Sequence, residues 1–119
     1  MELNKKFVIK QHDNFPPLII QALGDDGKPL DLTGYHAIVI IAEEVGARPI
    51  VHRSGNVLLD GKIQLNWLPG ETKKPGKYFL EVILEKEIEP GKITRFTLPS
   101  AGYAEVIITP RLVDSPTGR

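Results

Sequence analysis

Three histidines, His12, His36 and His52, are the side chains best suited to acid–base work or metal binding, because imidazole changes charge near neutral pH. They fall on three different predicted strands. No two share the i, i+2 spacing that aims two rings at one ion from a single strand. His36 alternates with Ile38 and Ile40, so a hydrogen-bonded strand histidine is expected there. Asp25, Asp26 and Asp31 are the densest carboxylate group, but they lack the alternating oxygen ligands and the closing bidentate Glu of a calcium loop. Asp before Gly is turn chemistry, and Asp31 reads as an Asx-type cap. Glu81 and Glu85 alternate outward along one strand instead of facing each other as a glycosidase pair would. Ser54, Ser100 and Ser115 stand in turn-like contexts, with no strand–GxSxG–helix elbow around any of them. No phosphate-cradling glycine loop occurs. The residues point to a protein without catalytic groups, cofactor or metal.

Composition narrows the classes further. The chain has 119 residues, 41% apolar and 25% charged, which suits one domain with a real core. Fifteen basic residues balance fifteen acidic ones. A nucleic-acid partner is therefore not expected, since phosphate binding draws on a basic excess and the basic clusters, Lys5-Lys6 and Lys73-Lys74, are short. Zero net charge also leaves association with other copies unopposed. The absence of cysteine excludes a disulfide framework, a thiolate metal site and a Cys nucleophile. "MELNKKFVIKQHD" has no apolar h-region, so no secretory leader is expected, and no apolar run approaches the roughly twenty residues of a membrane span.

The elements that must position these residues read as β nearly throughout. "KKFVIKQHD" is a short strand, and Pro16-Pro17 breaks it from "LIIQALG", because proline cannot donate to a ladder. "DDGKP" is a hairpin-type turn built on Asp26, Gly27 and Pro29. In "DLTG", Asp31 and Thr33 can bond nearby amides while Gly34 turns the chain into "YHAIVIIAE". That strand is apolar on both faces: Ile38, Ile40 and Ala42 on one, Val39 and Ile41 on the other. It is expected to be central and covered twice, with Ile38 and Ile40 in the core and Val39 and Ile41 facing a partner. "AEEVGARP" has room for about one helical turn. "KIQLNW" alternates cleanly, burying Leu65 and Trp67. Pro75-Gly76 opens "YFLEVILEKE", with Tyr78, Leu80 and Val82 inward and Phe79 and Ile83 outward. Val106 and Ile108 align in the closing strand, and Leu18 joins them in the core. About seven to nine strands separated by regular turn signals predict an antiparallel β-sandwich or barrel. Residues 1–110 form the domain, with a short N-terminal arm at Met1–Lys5, and Arg111–Arg119 is an extended tail.

The turn motifs occur in an order that resembles one family. "FVIKQHDNFPPLIIQALGDDGKPLDLTGYHAIVIIAEE" is similar to the opening of the N-terminal domain of the phage baseplate upper protein, through Asp13, Pro17, Leu18, Leu23, Asp26-Gly27, Pro29 and Asp31–Gly34. "GKIQLNWLPGETKKPGKYFLEVILE" resembles its next segment through Gly61, Trp67, Thr72, Pro75, Gly76, Tyr78 and Glu81. "TRFTLPSAGYAEVIITP" resembles its closing run through Phe96, Pro99, Gly102, Val106 and Ile108. His12-Asp13 stands where the family often has Gly-Asp. The resemblance spans about residues 6–110. It implies an immunoglobulin-like β-sandwich that serves as a non-enzymatic virion building block, with no catalytic residues to transfer.

The expected function is therefore structural. The chain would join tail or baseplate components of a tailed phage through sheet edges, the terminal arms, and a candidate interface of Val39, Ile41, Phe79, Ile83, Arg111 and Leu112. Its partners would be other virion proteins and further copies of itself, with no nucleic acid or membrane. It would be made in the host cytoplasm and end in the virion. The alternatives are a head-decoration, head–tail connector or neck protein, and a carbohydrate-binding module using Tyr35, Phe79 and Tyr103.

Overall fold

The computed structural model describes residues 1–4 and 6–113, and among them every regular element is a strand. In chain order these are β1 (Glu2–Leu3), β2 (Lys6–Lys10), β3 (Leu18–Leu23), β4 (His36–Ala42), β5 (Val51–Val57), β6 (Lys62–Leu65), β7 (Gly76–Glu89), β8 (Lys92–Leu98) and β9 (Ala104–Thr109). They join in one curled, half-barrel sheet of order β1-β3-β6-β5-β4-β7-β9-β2, with β8 paired to β7. The all-β expectation and the strand number hold. The segment "AEEVGARP" is a turn, not a helix.

The pairing is mixed where the sequence suggested antiparallel. β2 runs parallel to β9 over five residue pairs, Lys6↔Glu105 to Lys10↔Thr109. Pro16-Pro17 explains how: the chain leaves β2, and β3 then starts beside β6 in a different part of the sheet. The curl depends on β5, which pairs with β4 along Val51–Gly55 and with β6 at Asn56 and Val57.

β7 is the spine. One edge pairs with β4 from Phe79 to Glu85. The other edge is shared, by β9 over Gly76–Leu80 and by β8 over Val82–Glu89. Fourteen residues at about 3.3 Å each give roughly 46 Å, most of the 54 Å long axis of the molecule. Past Glu85 the β7–β8 hairpin extends beyond the pairs made by β4.

The concave side holds the core. Leu18, Leu65, Trp67, Tyr78, Leu80, Val82, Val106 and Ile108 are all buried there, as their alternation predicts. Each such large apolar side chain contributes about 1.5–3 kcal/mol of burial free energy. Trp67 lies beside Phe7, Pro16, Pro17 and Val106, where the half-barrel is open between β2 and β3. In the turns, Asp26 accepts the Lys28 amide at 2.9 Å, and Asp31 accepts both the Thr33 amide at 3.0 Å and its hydroxyl at 2.6 Å. Gly27 and Gly34 take φ of 77° and 81°, left-handed values that favour glycine. The Thr33 hydrogen bonds hold the Asp31 carboxyl below its ordinary range.

Two expectations are corrected here. In β4 it is Val39 and Ile41 that are fully buried, while Ile38 and Ile40 lie half-buried on the convex side. The register sets this parity: Val39 pairs with Val82 and Ile41 with Leu80, both inward on β7, whereas Ile38 and Ile40 lie opposite Ser54 and His52. The N-terminal arm, in turn, is part of the sheet. Glu2-Leu3 pairs with Leu23 and Ala22, and Leu3 is buried. Lys5 and residues 114–119, including Ser115 and most of the expected tail, lie outside the described residues.

Candidate interaction surface

The convex face of β5, β4, β7, β8 and β9 can be read row by row from the registers. One row carries Ser54, Ile38, Ile83 and Thr97; the next carries His52, Ile40 and Glu81; a third carries Ala42, Phe79 and Glu105. Ile38, Ile40, Phe79 and Ile83 thus form a contiguous half-buried strip across the two central strands. Phe79 and Ile83 face outward as the sequence predicts. Their companions from β4 are Ile38 and Ile40, in place of Val39 and Ile41. Tyr103, just before β9, sets its ring against Phe79 with centroids 5.5 Å apart. Beside the pair, the 44–49 turn, Ile40 and Glu81 enclose a notch of about 160 Å³.

Charges ring this strip in matched pairs. Arg95 bonds Glu85 through Nε and Nη2, at 3.0 and 2.6 Å. Lys77 meets Glu105 at 3.0 Å and Lys74 meets Glu43 at 2.8 Å, which raises the Lys74 pKa. Such exposed pairs contribute little to stability, because water and salt screen them, but they fix the rim chemistry. Arg53 is more enclosed, binding Glu71 at 2.7 Å and the Asn66 carbonyl at 2.6 Å.

The three histidines lie apart, but only His36 and His52 stand on strands as expected; His12 does not. His12 sits in the turn after β2 at φ 70°. His36 Nε2 and Ser54 Oγ stand 3.1 Å apart in a hydrogen bond across β4 and β5. A serine–histidine pair is nucleophile–base geometry, and linear spacing alone does not bring Ser54 to His36. It lies on the exposed side at the end of the Ala37–Ile41 ladder with Val51–Gly55, on two regular strands and not in a cleft. The pair serves as a cross-strand polar contact. Among the described residues no group of three or more His, Asp or Glu could hold a metal ion. No helix there is long and apolar enough to cross a membrane.

Arg111 and Leu112 part ways. Arg111 is drawn inward: its amide donates to Gln11 Oε1 at 3.1 Å, its Nε donates to the Gln11 carbonyl at 2.9 Å, and Nη2 pairs with Asp13. Leu112, the next residue, is fully exposed. Tyr35, one of the aromatic platforms, packs edge-on against Phe96 at 5.4 Å, away from Phe79 and Tyr103.

Neither the protein-family models nor the curated proteins give a match to this chain. The functional reading therefore rests on the residues. An open groove of about 790 Å³ between Pro29–Tyr35 and Val57–Asp60 is larger than the Glu81 notch, but it lies between loops at an end of the sheet and its two carboxylates, Asp31 and Asp60, belong to turns.

Proposed function

We propose that the chain is a non-enzymatic structural component of a tailed-phage particle, associated with the tail or baseplate, that works through protein–protein contacts. The observation that carries this reading is the strip of Ile38, Ile40, Phe79 and Ile83 on the convex side of the two central strands. A sheet needs one apolar face to build a core. A second on its middle strands is what a covering partner requires. The ordered turn motifs from Asp26 to Gly34 and from Pro75 to Tyr78 supply the phage assignment, by resemblance. Two edges add to it: β2 and β8 each pair on one side only among the described residues, and open edges accept a partner's strand.

The finer architecture we propose is an immunoglobulin-like sandwich. It is supported by β3–β6 forming one wall, β2-β9-β7-β4 forming the other, and an N-terminal segment whose β1 pairs with β3 in the first wall while β2 runs parallel to β9 in the second. The protein would be made in the host cytoplasm and function in the virion, in contact with other virion proteins and its own copies. The test is to purify particles by density gradient and look for the chain by mass spectrometry. Recovery in tail or baseplate fractions is expected; recovery in head fractions would favour a decoration or neck role, and absence from particles would contradict the assignment.

A second reading, carbohydrate binding, draws on the Phe79–Tyr103 ring pair. It expects glycan-array binding that Tyr103→Ala abolishes.

A further inference from the structure

We propose that the notch between Glu81, Phe79 and Tyr103 receives an arginine side chain of a partner protein. The proposal rests on reading the convex face as an interface, and it names what that interface must be offered.

Glu81 is the anomaly of this face. On this face Glu43, Glu85 and Glu105 each have a cation from their own chain within 3.0 Å, and Glu44, which has none among the described residues, is exposed to water. Glu81 makes no ion pair or hydrogen bond through its side chain among the described residues. It is nonetheless half-buried, in the middle of the apolar strip, with Ile40 opposite it and Phe79 and Ile83 on either side along β7. Its position is where the shared edge of β7 changes hands, between the last β9 pair, Leu80↔Ala104, and the first β8 pair, Val82↔Leu98. The notch beside it is walled by Ile40, the 44–49 turn, Phe79 and Tyr103.

Desolvation makes the demand. In the free protein water reaches Glu81 and solvates its charge. A partner that covers Ile38, Ile40, Phe79 and Ile83 strips that water away, and an unpaired carboxylate in an apolar contact is strongly penalised. A face of this kind therefore excludes partners that bring only apolar groups and selects those that bring a cation. The lining favours the same guest: it holds two carboxylates, Glu44 and Glu81, two aromatic rings and no basic side chain. A cation already rests on one of these rings, since Lys77 Nζ stands 5.9 Å over Phe79, with its charge matched by Glu105. The Tyr103 ring and Glu81 remain for the guest. Arginine suits them better than lysine because its planar guanidinium stacks on an aromatic while donating two parallel hydrogen bonds to a carboxylate.

The experiment is an amide and methyl NMR titration of the full chain with three capped tripeptides, Gly-Arg-Gly, Gly-Lys-Gly and Gly-citrulline-Gly. Shifts centred on Ile40, Phe79, Glu81 and Tyr103 are expected, strongest for arginine, weaker for lysine and smallest for citrulline. Glu81→Gln should weaken the arginine peptide about tenfold, the scale of a lost charged hydrogen bond, with the spectrum otherwise preserved. Tyr103→Leu, which keeps the carboxylate, should weaken it less. Equal binding of arginine and citrulline at this face would overturn the arginine assignment and leave the interface standing. Shifts elsewhere, or none, would overturn the site. Concentration-dependent shifts of the same signals without peptide would give the face to a second copy and overturn it too.

Discussion

Gly55 of β5 lies directly against Ile63 of β6: a Cβ placed on it would stand 2.8 Å from the Ile63 Cγ2 and 3.1 Å from the Val39 Cγ2. This is the residue at which β5 passes from pairing with β4 to pairing with β6, so side chains of both neighbours crowd it. Gly55→Ala is expected to cost about 1–3 kcal/mol through overpacking, and Gly55→Val more. Urea unfolding monitored by Trp67 fluorescence measures it. An unchanged midpoint would mean that the walls separate freely at this corner.

The parity of β4 yields a paired prediction. Val39→Ala removes a fully buried side chain between Val82 and the core and should cost about 2 kcal/mol, whereas Ile40→Ser on the convex side should cost under about 1 kcal/mol. Thermal melts of the two variants decide it. Equal losses would place both faces in the core.

That parity also shows where the sequence was readable. In "YFLEVILEKE" the carboxylates Glu81 and Glu85 mark alternate positions as outward, so Phe79 and Ile83 were placed correctly. "HAIVIIA" has no polar residue in its middle, and two registers fit it equally well. The available signal was His36 at one end, which shares the outward face with Ile38 and Ile40. Turns were legible because Asp26-Gly27 and Asp31–Gly34 carry their own hydrogen-bond chemistry. The parallel β2–β9 pairing was not, since Pro16-Pro17 announces a break without naming the next neighbour. Nor was the notch at Glu81, which gathers β4, the 44–49 turn, β7 and Tyr103 from distant parts of the chain.

Gln11 should prove structural. It is buried, its Nε2 donates to the Lys73 carbonyl at 2.9 Å, and its Oε1 receives the Arg111 amide. Gln11→Leu strands both groups and is expected to cost about 1–3 kcal/mol. Arg111→Ala removes that side chain's bonds to Gln11 and Asp13 but keeps the Gln11–Lys73 bond, and should cost less. Chemical denaturation of both variants tests the order.

Alkaline pH should weaken the fold through Tyr78. Burial raises its pKa above the ordinary value, and the hydroxyl donates to the Lys74 carbonyl at 2.7 Å. The folded state therefore keeps its proton where the unfolded chain has lost it. The stabilisation is complete below the unfolded value of about 10 and falls as pH rises through the raised folded value. A Tyr35→Phe/Tyr103→Phe double variant leaves one tyrosine for absorbance titration, with a midpoint expected above about 10. Tyr78→Phe should remove this part of the alkaline slope.

The convex strip remains the centre of the account, and the most direct measurement is particle incorporation of an Ile38→Asp/Ile83→Asp double variant. Both residues face outward, so the variant should fold, shown by a cooperative melt. It should then be missing from purified particles that take up the unaltered chain. A folded double variant incorporated at the unaltered level would contradict the claim that this sheet face holds the protein to its neighbours.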